Sequence, residues 1–191
     1  MDAQEAQPDH AASIGALGEA LVAGSIRDLG WPMLRNVVLR ERGRSTEIDV
    51  IARAPSALVV LEVKTWSGFI EGAPLAPSWT RHGRGAERTV VTNAVRQNQL
   101  HVEAIARAIR DKAVPVWGLV VSAGHARFAP ALCPHVVPVA ELPLVLHARA
   151  QVSVQGTRAM ERAWTFLSRE AERSSTRMAA HIAQVQQQGA D

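Results

Sequence analysis

The chain has 191 residues, of which 47% are hydrophobic and 20% charged, and its formal net charge is +3. This length and composition predict one globular domain, the modest charge does not by itself indicate nucleic-acid binding, and no apolar stretch approaches the roughly 20 residues of a membrane span. Because the chain has one cysteine, Cys133, and no secretory signal at its start, we expect a cytoplasmic protein without a disulfide or a structural zinc site.

The first third of the chain predicts a helix followed by three strands. Residues 1–12 are polar and are expected to form a disordered leader before a domain at residues 13–150. Over residues 14–29 apolar side chains recur at three- and four-residue steps, which predicts an amphipathic helix with Ser13 as N-cap and Gly30 past its end. The turn-like segments that follow predict an antiparallel meander of three strands, at residues 36–40, 47–53 and 58–65.

The rest of the chain predicts a mixture of helices and strands. Residues 69–88 are rich in Gly and Pro and predict a long loop or a weak hairpin. The elements predicted next are a helix that begins after Thr92 and runs to about Lys112, a buried strand at 114–122, an edge strand at 136–139 and a brief helix at 141–148. Residues 151–191 predict a final helix whose apolar stripe is interrupted at Ser174 and Ser175 and whose Gln-rich end frays. This order of elements implies an α/β sandwich with a mixed sheet.

Three charged residues on the predicted meander carry the chemical signal. Because strand side chains alternate, Glu62 and Lys64 share one face. If Pro55 and Ser56 are the two loop residues, Asp49 lies directly opposite Glu62, with their Cβ atoms about 5 Å apart. Directly opposed carboxylates repel each other, and a divalent cation would make the interaction favourable.

Carboxylate ligands without Cys or His favour Mg²⁺ or Mn²⁺ over zinc. The hypothesis is that Asp49 and Glu62 hold an ion that polarises a scissile phosphate. Lys64 would then position the attacking water or neutralise the charge that develops on the phosphate. The alternative is that Glu62 and Lys64 are ordinary solvated residues on the polar face of a sheet.

These residues resemble the nuclease-related domain (NERD) family, a branch of the restriction-endonuclease-like superfamily whose core carries an Asp and then Glu-x-Lys. The resemblance covers roughly residues 14–128. Its ordered matches are Gly15-Ala16-Leu17-Gly18-Glu19 in the opening helix, Thr46-Glu47-Ile48-Asp49-Val50-Ile51 in the metal-binding strand, Leu61-Glu62-Val63-Lys64-Thr65-Trp66-Ser67-Gly68, then Trp79, and Asn93-Ala94-Val95-Arg96-Gln97-Asn98-Gln99-Leu100-His101. The sequence departs from the family pattern at Val95, where a proline is expected.

The resemblance implies a fold, an activity and a site. The fold is a restriction-endonuclease-like three-layer sandwich with a central mixed β-sheet flanked by helices, and the activity is a metal-dependent DNA nuclease. Asp49 and Glu62 match the metal ligands, Lys64 the catalytic lysine, Glu19 the acidic residue of the first helix, which joins the ligand set, and Gln97 the helix glutamine. From the residues alone, Glu19 and Gln97 are ordinary helix positions, since the helix dipole already favours an early glutamate.

Candidate DNA contacts follow from charge and from aromatic side chains. They are Arg81, Arg84, Arg88, Trp79 and Arg96. Among the tryptophans, Trp66 and Trp79 are the two considered for stacking on exposed bases. The histidines show no zinc-helix spacing and are expected to be surface or hydrogen-bonded residues.

Two other classes of function remain open. In the first, the same fold binds DNA without cutting it, and binding should depend strongly on salt and survive the loss of Lys64. In the second, the C-terminal helix exposes its apolar stripe and docks on a partner or on a second copy, which would give a homodimer.

Overall fold

The structure is a computed structural model that describes residues 10–41, 43–150 and 158–188. The elements in chain order are α1 (His10–Asp28), β1 (Met33–Glu41), β2 (Arg44–Arg53), β3 (Leu58–Lys64), β4 (Phe69–Glu71), β5 (Ser78–His82), β6 (Arg88–Thr92), α2 (Ala94–Ile109), β7 (Val116–Ser122), β8 (Arg127–Phe128), β9 (Val136–Pro138), α3 (Leu142–Ala150) and α4 (Arg158–Gln188). Two short 3₁₀ turns, Cys133–His135 and Val139–Glu141, flank β9. None of the helices in these ranges combines the length and apolarity that a bilayer crossing requires.

Strand β3 lies at the centre of a five-stranded mixed sheet with the order β1-β2-β3-β7-β9. Strands β1, β2 and β3 form the predicted antiparallel meander, whereas β7 pairs parallel to β3 and β9 pairs parallel to β7. The run from Leu58 to Leu61 is buried throughout, as in a strand that is covered on both faces. The mixed sheet at the core of the chain is therefore confirmed.

Helices cover both faces of this sheet, because the strand side chains alternate between two apolar cores. Leu58 and Val60 pack with residues of α2 and α4, whereas Val59 and Leu61 pack with residues of α1 and α3. The layers are thus two helices, the sheet and two helices. The predicted restriction-endonuclease-like three-layer sandwich is confirmed.

Of the two predictions for residues 69–88, the long loop is wrong and the weak extra hairpin is confirmed as β4–β5, which β6 and β8 extend into a second sheet. Its strand order is β6-β5-β4-β8, and β4 pairs parallel to β8 just as β3 pairs parallel to β7. Between the two sheets the pairing continues through the Trp66 carbonyl, which accepts from Ala126 N at 2.9 Å. Gly68 (φ +86°) makes the turn possible, since an added Cβ would lie 2.1 Å from the His82 carbonyl oxygen.

Two details of the predicted helices are wrong. Helix α1 begins at His10, so Ser13 lies inside the helix and is not its N-cap. At Ser174, by contrast, the predicted interruption of the α4 stripe is confirmed, because its buried hydroxyl donates to the Glu170 carbonyl and also contacts β1 at Val38. The beginning of the α4 stripe, including Met160 and Leu167, is buried in the core and is not exposed for a partner. Residues 1–9 of the expected leader and the end of the Gln-rich tail lie outside the described residues.

Candidate active site

Glu62 and Lys64 lie at the end of β3, on the face that carries α2. Glu62 is almost completely buried, with 1% of its side chain exposed, and its Oε1 lies 2.6 Å from Nζ of Lys64. Nζ also lies 5.8 Å from the ring centroid of Trp66, which makes an edge-on contact with Trp79. The predicted Glu-x-Lys residues thus contact each other beside the rings of Trp66 and Trp79, and they are not a solvated surface pair.

Asp49 lies where β2 and β3 separate. The predicted register is confirmed over β2–β3, but the pairing ends at Val50 and Leu61, one step before the predicted pair of Asp49 with Glu62. Beyond that point the Asp49 carboxylate accepts the Val63 N–H at 2.8 Å. This separation of the strands leaves the Asp49 carboxylate close enough to Glu62 to feel its charge, while the backbone N–H of Val63 keeps a hydrogen-bond acceptor.

The two carboxylates have opposite pKa shifts. Burial, followed by the negative charge of Glu62, raises the pKa of Asp49 to about 6, although the Val63 N–H and Lys64 lower it. Burial also acts to raise the pKa of Glu62, but contacts with His101 and Lys64 outweigh it and hold that pKa below its ordinary value. The site therefore contains Glu62, an ionised carboxylate with His101 and Lys64 as partners, and Asp49, whose negative charge is poorly compensated.

His101 is the site residue that the sequence reasoning missed. Its ring is buried, and Nδ1 lies 3.2 Å from Oε2 of Glu62. The approach lacks hydrogen-bond angles, and within the described part of the chain neither atom has another hydrogen-bond partner. The available signal was the four-residue spacing from Gln97, which places both residues on one side of α2.

Asn98 fixes α2 against the strands that carry the site. Its buried side-chain amide donates to the carbonyls of Val60 (3.2 Å) and Leu119 (2.9 Å), on β3 and β7. Gly118 permits this close approach, because an added Cβ would lie 2.9 Å from Nδ2 of Asn98. Gln97 is half-buried beside it and, among the described contacts, makes no side-chain hydrogen bond to either carboxylate. The structure thus brings His101, rather than Gln97, into contact with Glu62.

Glu19 lies at the edge of the site. Gly18 lets α1 pack against the end of β3, since an added Cβ would lie 2.3 Å from Cγ2 of Thr65. Oε2 of Glu19 pairs with Arg35 at 3.1 Å, and the Glu19 charge contributes weakly to the raised pKa of Asp49. Glu19 is therefore close enough to act electrostatically on Asp49 while being held by an arginine.

Asp49 and Glu62 are the described residues best suited to hold a metal ion. Within residues 10–41, 43–150 and 158–188 no group of three His, Cys, Asp or Glu side chains has metal-ligand geometry. Mg²⁺ commonly uses one or two carboxylates and takes its other ligands from water and phosphate, so two acids fit this ion. The raised pKa of Asp49 indicates negative charge that a hard cation would stabilise, and Oε2 of Glu62 makes no hydrogen bond with good angles despite its contact with His101.

The predicted DNA contacts have different environments. Arg84, Arg88 and Arg96 are exposed, whereas Arg81 is half-buried and pairs with Glu87 at 3.1 Å. Trp79 is only 1% exposed, and its indole N–H donates to the Ala73 carbonyl. The prediction that Trp79 stacks on a base is corrected, because its ring belongs to the core of the second sheet.

Comparison with known proteins gives a family match over this region. Residues 14–123, which contain all five predicted catalytic positions, match the model described as nuclease-related domain. The chain is 35% identical over 95 residues to an uncharacterized protein of Bacillus anthracis, covering 48% of this chain and 44% of that protein. It is 40% identical over 62 residues to UPF0102 proteins of two Clostridium botulinum strains, Loch Maree and 657, covering 32% of this chain and 47% of each relative. The chain thus spans less than half the length of these curated relatives.

Proposed function

The chain belongs to the nuclease-related domain family, part of the restriction-endonuclease-like superfamily, and on that premise we propose that it hydrolyses DNA phosphodiester bonds in a metal-dependent reaction. The observation that carries the proposal is the contact of Lys64 with Glu62 beside the poorly compensated Asp49. DNA processing, repair and defence are all compatible roles. The partner is DNA, and the cytoplasmic location is a proposal that rests on the sequence.

Asp49 and Glu62 would hold Mg²⁺ or Mn²⁺, with Glu19 as a further acidic residue at the edge. When bound, the ion supplies Lewis-acid polarisation of the phosphate and lowers the pKa of a coordinated water. The raised pKa of Asp49 means that a proton competes for this ligand at mildly acidic pH. Two adjacent acids that repel each other in the free protein therefore become a favourable ligand pair when the ion binds.

Lys64 provides the positive charge that the reacting phosphate needs. Its side chain is 21% exposed, and its ammonium group contacts Glu62 and lies near the Trp66 ring, so a phosphate that approaches from solvent would meet this positive charge. The ammonium group would stabilise the negative charge that develops on the phosphate oxygens. His101 contacts Glu62 from the opposite side and is a positioning residue, whereas Gln97 is kept as a candidate from the family resemblance alone.

A second function, DNA binding without cleavage, is favoured by one observation. Lys64 and Glu62 already satisfy each other at 2.6 Å, and the described residues contain no third metal ligand in place. A site closed in this way would leave the exposed arginines of the second sheet as a binding surface. In that case binding should weaken strongly with salt and should not depend on Lys64.

The test compares the chain with two lysine variants. Wild type, Lys64→Ala and Lys112→Ala are incubated with supercoiled plasmid, linear duplex and single-stranded DNA in Mg²⁺, Mn²⁺ or EDTA. Lys112 is a matched control because it is an exposed lysine far from the candidate site. It precedes the start of β7, whereas Lys64 pairs with Ser122 at the opposite end of that strand. We expect cleavage that requires metal, falls on the order of 100-fold in Lys64→Ala and is retained in Lys112→Ala.

The other outcomes are equally informative. Equal cleavage by wild type and Lys64→Ala would place the activity outside this site. If neither protein cuts and both bind DNA with the same strong salt dependence, the binding function is the correct one.

A further inference from the structure

Four side chains form a row across the outer face of the second sheet. Phe69 on β4 pairs with Arg127 on β8 and with His82 on β5, and His82 pairs with Arg88 on β6. Residues that are paired across neighbouring strands point to the same face of a sheet. These four residues, in the order Arg127, Phe69, His82 and Arg88, are called the outer row.

The outer row lies on the face opposite the core of its sheet. The inner face carries the buried Ile70 and Trp79, and the paired residues of the outer row alternate with them along β4 and β5. Phe69 is half-buried, its ring centroid lies 6.0 Å from that of His82, and it is not part of the apolar core of the sheet. An aromatic side chain is therefore available on an open face of the sheet.

Positive charge flanks these two rings. Arg88 and Arg127 are exposed at the two ends of the row, and none of the ion pairs found among the described residues involves either of them. The acidic residue on this face is Glu71, which is tied to Nε2 of His82 at 2.8 Å and so orients the imidazole ring. Strand spacing makes the row about 14 Å long, roughly the length of four stacked nucleotides.

The outer row begins close to the proposed catalytic lysine. Phe69 follows Lys64 by five residues, which limits the separation of their Cα atoms to about 17 Å. The parallel pairing that continues from β3–β7 into β4–β8 fixes the second sheet relative to the site. The Cα separation of Lys64 and Phe69 is therefore one that a few nucleotides can span, and a strand that contacts both must pass from the Trp66 side of the second sheet to its outer face.

We propose that the outer row binds an unpaired segment of the DNA strand, with a base stacked on Phe69 and His82 and with phosphates on Arg88 and Arg127. Stacking on a side chain requires a base that is free of its duplex partner, so the row selects single-stranded DNA or a frayed end. This inference rests on the proposed function, because it deepens the description of the same substrate. It gives the second sheet a role in choosing the substrate.

The experiment measures binding of labelled oligonucleotides in EDTA, so that no cleavage occurs. The probes are a 12-nucleotide oligothymidine, a strand of equal length with abasic positions, and a blunt duplex. We expect Phe69→Ala to weaken oligothymidine binding about tenfold and to change binding of the abasic strand and of the duplex by less than about twofold. Phe69→Trp should restore the affinity, whereas Phe69→Leu, which keeps an apolar side chain, should not.

The arginines are tested in the same assay. Arg88→Ala/Arg127→Ala should weaken both the thymidine and the abasic strand and should lower the slope of log affinity against log salt by about 1.4, the value for two phosphate contacts on a single strand. Arg169→Ala removes an exposed arginine on α4 and is the matched control. Far-ultraviolet circular dichroism and thermal unfolding check that each variant is folded.

The inference is overturned if Phe69→Ala and Phe69→Leu bind oligothymidine as wild type does, or if Phe69→Ala weakens the abasic strand equally. The two proposals fail separately. A protein that cuts DNA with these variants unchanged retains the nuclease function and loses the outer row, whereas a protein that never cuts but needs Phe69 for single-strand binding retains the row alone.

Discussion

Nδ1 of His101 lies 3.2 Å from Oε2 of Glu62, and both side chains are buried. On the opposite side of the carboxylate, Nζ of Lys64 lies 2.6 Å from Oε1. Contacts from α2 and from its own strand therefore hold the Glu62 carboxylate, whose charge acts on Asp49. Residues that orient a metal ligand affect metal affinity even though they do not touch the ion.

The first prediction concerns His101. Replacing it by Ala frees Glu62 to rotate, so Mn²⁺ affinity measured by isothermal titration calorimetry should fall about 10- to 100-fold. His101→Gln, which keeps a polar group in reach, should recover part of this loss. His125→Ala removes an exposed histidine and serves as the control. Unchanged Mn²⁺ affinity in His101→Ala would show that Lys64 and the strand orient Glu62 without help.

The second prediction concerns pH and Asp49. Because the pKa of Asp49 rises from 3.8 to about 6 in the fold, its protonated form stabilises the fold below pH 3.8, and this stability is lost as pH rises through 6. Asp49→Asn keeps an acceptor for the Val63 N–H and removes the charge. Without metal, the variant should be more stable than wild type by about 1–2 kcal/mol at pH 8 and equal to it near pH 3.5.

Urea unfolding followed at both pH values measures the difference. The lowered pKa of Glu62 acts in the opposite sense, since its contribution is lost as pH falls, but that group is present in both proteins. A variant less stable than wild type at pH 8 would mean that the Asp49 charge is already compensated in the free protein.

The third prediction is the response of stability to metal. An ion held by Asp49 and Glu62 stabilises only the folded state, so Mn²⁺ at 100 times its dissociation constant should add about 2.7 kcal/mol to the free energy of unfolding. Glu62→Gln and Asp49→Asn should lose this gain. Glu47→Gln changes an exposed glutamate on β2 and should keep it. If all four proteins gain equally, the ion binds elsewhere.

The meander and its register could be predicted from sequence because they depend on local signals. The Pro55-Ser56 turn and the alternation along β3 determine which residues pair, and the structure has that register from Val50 onward. The separation of the strands at Asp49 could not be predicted, since it depends on the Asp49 carboxylate taking the place of a backbone carbonyl as acceptor for the Val63 N–H. Such a replacement leaves no pattern in hydrophobic spacing.

The second sheet and His101 were missed for a different reason. Strands β4 and β8 have three and two residues, too few to show a period, and the parallel pairing between them joins segments that are distant in sequence. His101 becomes a site residue only because Asn98 and Gly118 bring α2 close to the central strands. Both features depend on tertiary packing, which a single sequence shows only through family resemblance.

The last prediction tests how α1 is seated beside the site. An added Cβ at Gly18 would lie 2.3 Å from Cγ2 of Thr65 and 3.1 Å from Cβ of Ala123, so Gly18→Ala should lower the free energy of unfolding by about 1–3 kcal/mol. Gly15→Ala lies one turn earlier on the same helix, where an added Cβ meets nothing within 4 Å, and should stabilise the protein by about 0.5–1 kcal/mol through helix propensity alone. If the close packing of Gly18 matters, urea unfolding should show changes of opposite sign in the free energy of unfolding of the two variants.

A double variant identifies the contact. Thr65→Ser removes Cγ2, so Gly18→Ala/Thr65→Ser should recover most of the stability that Gly18→Ala loses, and the two changes should be strongly non-additive. If the added methyl group in Gly18→Ala displaces α1, it also displaces Glu19, which follows Gly18. Mn²⁺ binding should therefore weaken in Gly18→Ala and stay intact in Gly15→Ala. Additive effects on stability would mean that Cγ2 of Thr65 is not the atom that resists the added methyl group, and the position of Glu19 would then not depend on the contact of Gly18 with Thr65.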